Sequence, residues 1–182
     1  MITDALLNLV AIGSPLSCVG AAGSNFRSSI IDELGQGVGT APLNIIGNRS
    51  VFGSDMGIDW VKPRVIVTVG TAFVTATSAT LNIQFQGSVD SGAAGAPAYS
   101  PNAWTTYIET GGIAASNLGA NAQIRLDIPS ALPFSALPRF YSLNFLPLST
   151  ASFTAGTIAS ALIALVTDDY KVAYAARNYT VA

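Results

Sequence analysis

Histidine is absent from all 182 residues, and cysteine occurs once. Without imidazole, the commonest general base and the commonest metal ligand are both missing. Triads of the Ser-His-Asp or Cys-His kind are therefore excluded, as is a zinc site built from Cys and His. Cys18 cannot form an intrachain disulfide and reads as a small buried hydrophobe. Charge is the next scarcity: charged residues make up 10% of the chain, against about 25% in an ordinary soluble domain. The net charge is -2, and the basic residues, from Arg27 to Arg177, are scattered along the whole length. No basic patch is visible in the sequence, so composition points to neither nucleic acid nor a membrane surface as a partner. The longest uncharged apolar strand, Thr157 to Thr167, falls well short of the roughly 20 residues a membrane helix needs. Pro15-Leu16-Ser17-Cys18 invites a lipid-anchor reading, but Asp4 stands where a cation belongs, which argues against both a signal peptide and a lipid anchor.

What the chain does have is apolar bulk, 50% of residues, on a length suited to one domain. The surface must then be largely uncharged Ser, Thr, Asn, Gln, Gly and Ala. Such a surface loses little on being desolvated against another chain, which favours life in an assembly. The stretch from Leu137 to Asp169 organises the sequence. Its first half alternates Arg139, Tyr141, Leu143 and Phe145 with Phe140, Ser142, Asn144 and Leu146, the pattern of a strand with one bulky apolar face and one mixed face. Its second half is apolar on both faces, as in a strand buried inside a sandwich. The Ser/Thr/Gly link between them predicts a hairpin with a long loop. Thr80 to Ser88 gives the clearest alternation, Leu81, Ile83 and Phe85 against Asn82, Gln84 and Gln86, so the first three share a core face. Further strands are expected at 26–34, 65–69, 104–110 and 123–128. Residues 1–12 fit either a short helix opened by Thr3 and Asp4 or an extended arm. The expectation is an all-β chain of about eight strands, a sandwich or barrel of jelly-roll or immunoglobulin-like kind. It divides into an N-terminal arm or short helix plus loop (1–25), the sandwich (26–169) and a C-terminal segment (170–182). That last segment is either one more edge strand or an arm lying on a neighbouring subunit.

Few residues offer chemistry. Gly35-Gln-Gly37-Val-Gly39 resembles half of a phosphate-cradling loop, but Thr40-Ala-Pro42 follows where a helix should start, so it reads as a plain glycine loop. A glycosidase needs two facing carboxylates, and Asp55, Asp59 and Glu109 are the best candidates. Asp55 with Asp59, and Asp168 with Asp169, lack the dense oxygen ligands of a calcium loop. No catalytic, cofactor or metal site is assigned on these grounds. A carbohydrate- or receptor-binding sandwich, such as part of a phage tail or fibre, would need exposed aromatics, for which Trp60, Tyr99, Trp104 and Tyr107 are the residues to examine.

Three segments in order carry a resemblance: Ala79-Thr-Leu-Asn-Ile-Gln-Phe-Gln-Gly-Ser-Val-Asp90, Pro138-Arg-Phe-Tyr-Ser-Leu-Asn-Phe145, and Thr154-Ala-Gly-Thr continuing to Asp168. An alternating strand ending in Ser-x-Asp, a later Arg-Tyr-like strand and a Thr-Ala-Gly-Thr start to the final core strand resemble the capsid cement, or decoration, proteins of tailed bacteriophages. The segments resemble in particular the jelly-roll family that includes the cement protein of a Bordetella phage. The likeness spans 28–168; the segments before Phe26 and after Asp169 are longer than the pattern. It implies a non-enzymatic, homo-oligomeric jelly roll, dimer or trimer, on the outer surface of the virion capsid. There it would bridge units of the major capsid protein, with no cofactor. It supplies no contact motif to map onto individual residues.

Overall fold

Alternating and β-branched runs become strands, in chain order β1 (Asn8–Val10), β2 (Leu16–Ser17), β3 (Phe26–Arg27), β4 (Ile31–Asp32), β5 (Pro63–Val69), β6 (Val74–Thr75), β7 (Thr80–Ser88), β8 (Thr105–Glu109), β9 (Ile113–Ala114), β10 (Gln123–Asp127), β11 (Phe140–Leu148), β12 (Phe153–Ala155) and β13 (Thr157–Leu165). The computed structural model describes residues 7–32, 63–75, 77–89, 101–128, 138–149 and 152–165. Among these there is no α-helix; a 3-10 turn stands at Ala115–Asn117.

The strands pair antiparallel into two main sheets. In the first, β1 and β2 lie end to end along one side of β13, followed by β5 and β10. In the second, β3 and β4 share one side of β11, followed by β7, whose far side carries β8 and β9. A small third sheet joins β12 to β6. Treating each end-to-end pair as one lane, and setting β6 and β12 aside, the first sheet reads first-eighth-third-sixth along the chain and the second reads second-seventh-fourth-fifth. This is the jelly-roll order of two interlocked Greek keys, and the all-β sandwich expected from the sequence is what forms.

Register decides which residues are core. In β7 and β11 the pairs Ile83–Phe145 and Phe85–Leu143 face inward, all four fully buried. Phe85 also stacks on Tyr141, ring centroids 5.5 Å apart. From the first sheet, Val65, Val67 and Val69 of β5 and Ile158, Ala161 and Ile163 of β13 meet them in one continuous apolar cluster. The two sheets are also stitched by backbone where their first lanes meet, Ser29 N–H donating to Leu9 C=O at 2.8 Å. Just before it, Ser28 N–H donates to Leu143 C=O, and Leu143 N–H donates back to the Ser28 hydroxyl, both at 2.9 Å. The hydroxyl thus takes the place of a ladder carbonyl where the chain breaks between β3 and β4, leaving no buried amide orphaned there.

Three expectations change. The hairpin expected between the two halves of 137–169 does not form: β11 pairs with β3, β4 and β7, and β13 pairs with β1, β2 and β5. The link instead carries the chain from one sheet to the other through β12. Gly156, at φ +148°, makes the corner, and the Phe73 ring occupies the space a Cβ would need there. Turn-forming residues mark a change of direction without saying which strand comes next to which, and two apolar faces suit opposite sheets as well as one. The second change is at the N-terminus, where Asn8–Val10 and Leu16–Ser17 are strands of the first sheet and not a helix or an arm outside the sandwich. Leu7, Leu9 and Val10 are buried, because β13 is itself a central strand and needs a partner on that side. The third is the strand expected over 26–34, which is two short pieces divided at Ser28 to Ile30. The segment 170–182 lies outside the described residues.

Replacing Phe85 with alanine should lower stability by about 3–5 kcal/mol, read from urea unfolding. Cys18 offers a second check. Its thiol is fully buried, and desolvation pushes its pKa from 9.0 up to about 12. The native protein should resist iodoacetamide at neutral pH and react once unfolded. The fold favours the neutral thiol, so this contribution is complete below the ordinary thiol range and is lost as pH rises from 9.0 toward about 12. Cys18→Ala should lack that alkaline slope.

Candidate functional site

The face of the second sheet that points away from the core holds the densest polar arrangement among the described residues. Strand alternation puts it there: with Leu81, Ile83 and Phe85 turned inward, Asn82, Gln84 and Gln86 must turn outward. Register then lines up Arg27 of β3, Asn144 of β11, Gln84 of β7 and Glu109 of β8 as successive partners across the sheet. Beside this row runs a second, Ser142, Gln86 and Thr106.

The side chains form a directed chain of hydrogen bonds. Arg27 Nη2 donates to Gln86 Oε1 at 2.9 Å, Gln86 Nε2 donates to Gln84 Oε1 at 3.1 Å, and Gln84 Nε2 donates to Glu109 Oε2 at 3.0 Å. Each amide accepts on its guanidinium side and donates on its carboxylate side. The amide dipoles are thereby aligned between a positive and a negative end, an order in which each bond polarises the next. Branches hold it in place: Gln86 Nε2 also reaches Thr106 Oγ1 at 2.9 Å, Asn82 Nδ2 reaches Glu109 Oε2 at 2.8 Å, and Asn144 Nδ2 donates to Asn25 Oδ1 at 2.8 Å and Gln84 Oε1 at 2.9 Å. The Arg27 guanidinium lies over the Trp104 ring, 4.1 Å from its centroid.

Two atoms break the pattern of satisfaction. Arg27 Nη1 and Asn144 Oδ1 are buried and have no hydrogen-bond partner. Burial lowers the Arg27 pKa from its ordinary value. Glu109 is exposed, yet the bonds from Gln84 and then Asn82 hold its carboxyl below the usual range, against a small opposing effect of burial.

The candidates from the sequence are distributed unevenly. Trp104 belongs to this polar face. Tyr107 does not, because its ring passes over Gly87 on the core side, where a Cβ would collide with it, and burial raises its pKa. Trp104 and Tyr107 therefore do not form one exposed aromatic cluster. Glu109 sits in the amide chain, whereas Asp127 pairs with Arg64 on the first sheet. Asp55, Asp59, Asp168, Asp169, Trp60, Tyr99 and the glycine run 35–39 lie outside the described residues. Among the described residues no three His, Cys, Asp or Glu side chains gather.

No protein-family model matches the chain, and no curated protein is significantly similar to it in sequence. Function has to be argued from the face itself. Arg27, Asn25 and Asn144 had no place among the sequence candidates. The available signal was the Asn82-x-Gln84-x-Gln86 alternation facing away from the core, matched by Ser142-x-Asn144 on a second strand. Only register brings Arg27 and Glu109 to its two ends. A carboxylate held ionised by two amides, the amides themselves, and a guanidinium anchored on an indole offer oriented hydrogen-bond donors and acceptors.

Acid should loosen this face in a defined window. The stabilisation from Glu109 is present above the ordinary glutamate range, about 4.3, and is lost as pH falls through its lower folded-state value. In a pH titration by NMR the side-chain amide signals of Gln84 and Asn82 should move together with a midpoint below that range, and Glu109→Gln should abolish the transition.

Proposed function

We propose that this chain is a capsid cement protein. In this reading it sits on the outer surface of the expanded head of a tailed bacteriophage, bridges neighbouring units of the major capsid protein and associates with itself as a dimer or trimer. The observation that carries the reading is the jelly-roll lane order, the fold implied by the resemblance of 79–90, 138–145 and 154–168, in a chain whose charged share is only 10%. Fold alone hosts many functions. Here the surface chemistry supports the same direction: Ile12, Val19, Ile30 and Val74 are exposed apolar side chains, and a surface short of charge is cheap to desolvate against a partner.

The mechanism is linkage. A protein that binds the expanded shell and not its precursor stabilises the expanded state by mass action, with no catalysis and no cofactor. Nucleic acid and membrane play no part in this reading.

Co-sedimentation of the purified protein with expanded, undecorated heads, using unexpanded shells as control, should give saturable binding to the expanded form only. The copy number at saturation would then fix the symmetry of the bound unit. Equal binding to both shells, or binding to neither, would reject the proposal.

A further inference from the structure

We infer that the outward face of the second sheet is a binding site for a neutral oligosaccharide, a property that does not depend on where the protein is seated. Arg27, Asn144, Gln84 and Glu109 cross four neighbouring strands in a straight row, which at about 4.8 Å per strand spacing spans about 14 Å. That is room for a short chain of sugar rings. Asn25, Thr106 and Glu109 are exposed, and Arg27, Gln84 and Trp104 are half-buried, so the row is accessible on either side of Asn144, which is itself buried.

The unspent hydrogen-bonding capacity selects the chemistry. Arg27 and Asn144 are register partners, and between them they leave one donor, Arg27 Nη1, and one acceptor, Asn144 Oδ1, without a partner. Asn144 is only 2% exposed, so its orphaned oxygen is one that the fold would ordinarily satisfy. A hydroxyl both donates and accepts, so its chemistry suits both kinds of atom. A carboxylate or phosphate could use only the donor, and would face Glu109 and the Asn144 oxygen. An ammonium could use only the acceptor, and would face Arg27. The ligand is therefore neutral and rich in hydroxyls.

The remaining features fit a sugar better than a peptide. An extended peptide adds to a sheet through an edge, by main-chain bonds, whereas this row is a face made of side-chain amides. The amides are locked by one another, so a ligand meets donors and acceptors already oriented. Trp104, fixed from one side by the Arg27 guanidinium, stands at the rim as an aromatic surface for the apolar face of a pyranose ring.

The test is an array of neutral and acidic oligosaccharides, followed by titration of the best neutral trisaccharide into isotope-labelled protein. Side-chain amide signals of Gln84, Gln86 and Asn144 should shift saturably. Trp104→Ala and Arg27→Lys should each weaken binding at least tenfold, while circular dichroism and the urea midpoint of Arg27→Lys stay close to those of the parent. Binding of Arg27→Lys to expanded heads should be unchanged, which separates this site from the cement reading. The inference is overturned by an array with no hit at millimolar sugar, by hits confined to acidic sugars, or by binding that survives both substitutions. It is equally overturned if the Asn144 amide shows a long-lived water that no sugar displaces, or if the same amide signals move only when shells are added, which would make the face a protein contact.

Discussion

A one-residue slip between β7 and β11 would turn over every side chain of the second sheet. Nine successive pairs, from Phe140 with Ser88 to Leu148 with Thr80, fix that register, and both faces of the sheet depend on it. Inward, it brings Ile83, Phe85, Leu143 and Phe145 together in the core; outward, it sets Asn144 against Gln84 and Ser142 against Gln86. The apolar face enforces the choice, since the slipped alternative would bury amides and expose aromatic rings. The polar chain is thus positioned by the burial of the residues behind it.

This arrangement explains why so many polar side chains can be buried without disrupting the fold. Asn82, Gln86, Ser142 and Asn144 are all buried, and an unmade hydrogen bond at such a position costs about 1–3 kcal/mol. Cross-strand partners answer nearly all of that demand, the guanidinium at one end and the carboxylate at the other setting the direction. Ser28 applies the same logic at the backbone level, lending a hydroxyl where the ladder lacks a carbonyl.

Much of the scaffold could be read directly from the residues. The alternation of Thr80 to Ser88 predicted both its strand and its core face, and the β-branched Val65 to Val69 and the apolar run from Thr157 gave the two central strands of the first sheet. What could not be read was partnership. The link from 149 to 156 has turn residues suited to a hairpin and is instead a crossing between sheets, because Gly156 permits a corner that a hairpin does not need. Residues 1–12 fitted a short helix or an extended arm, since Leu9 and Val10 suit either period over so few residues, and only the open side of β13 makes Asn8–Val10 a strand of the sheet. The polar face suffered the same limit. Its three alternating amides were visible, but Arg27, Asn144 and Glu109 are distant in sequence and meet only once the register is set.

The broken lanes at the margins of the sandwich have a colloidal consequence. Among the described residues, three of the four outermost lanes are split, into β1 with β2, β3 with β4, and β8 with β9; the fourth, β10, is continuous and presents exposed Gln123, Arg125 and Asp127. A long flat margin is a template on which further chains can stack without limit, and most proteins discourage this with lysines and glutamates spread along it. This chain has few charges to spend. It interrupts the template geometrically on three margins, and the one left intact carries Arg125 and Asp127, so that crowding many copies together is a poor start for a fibril.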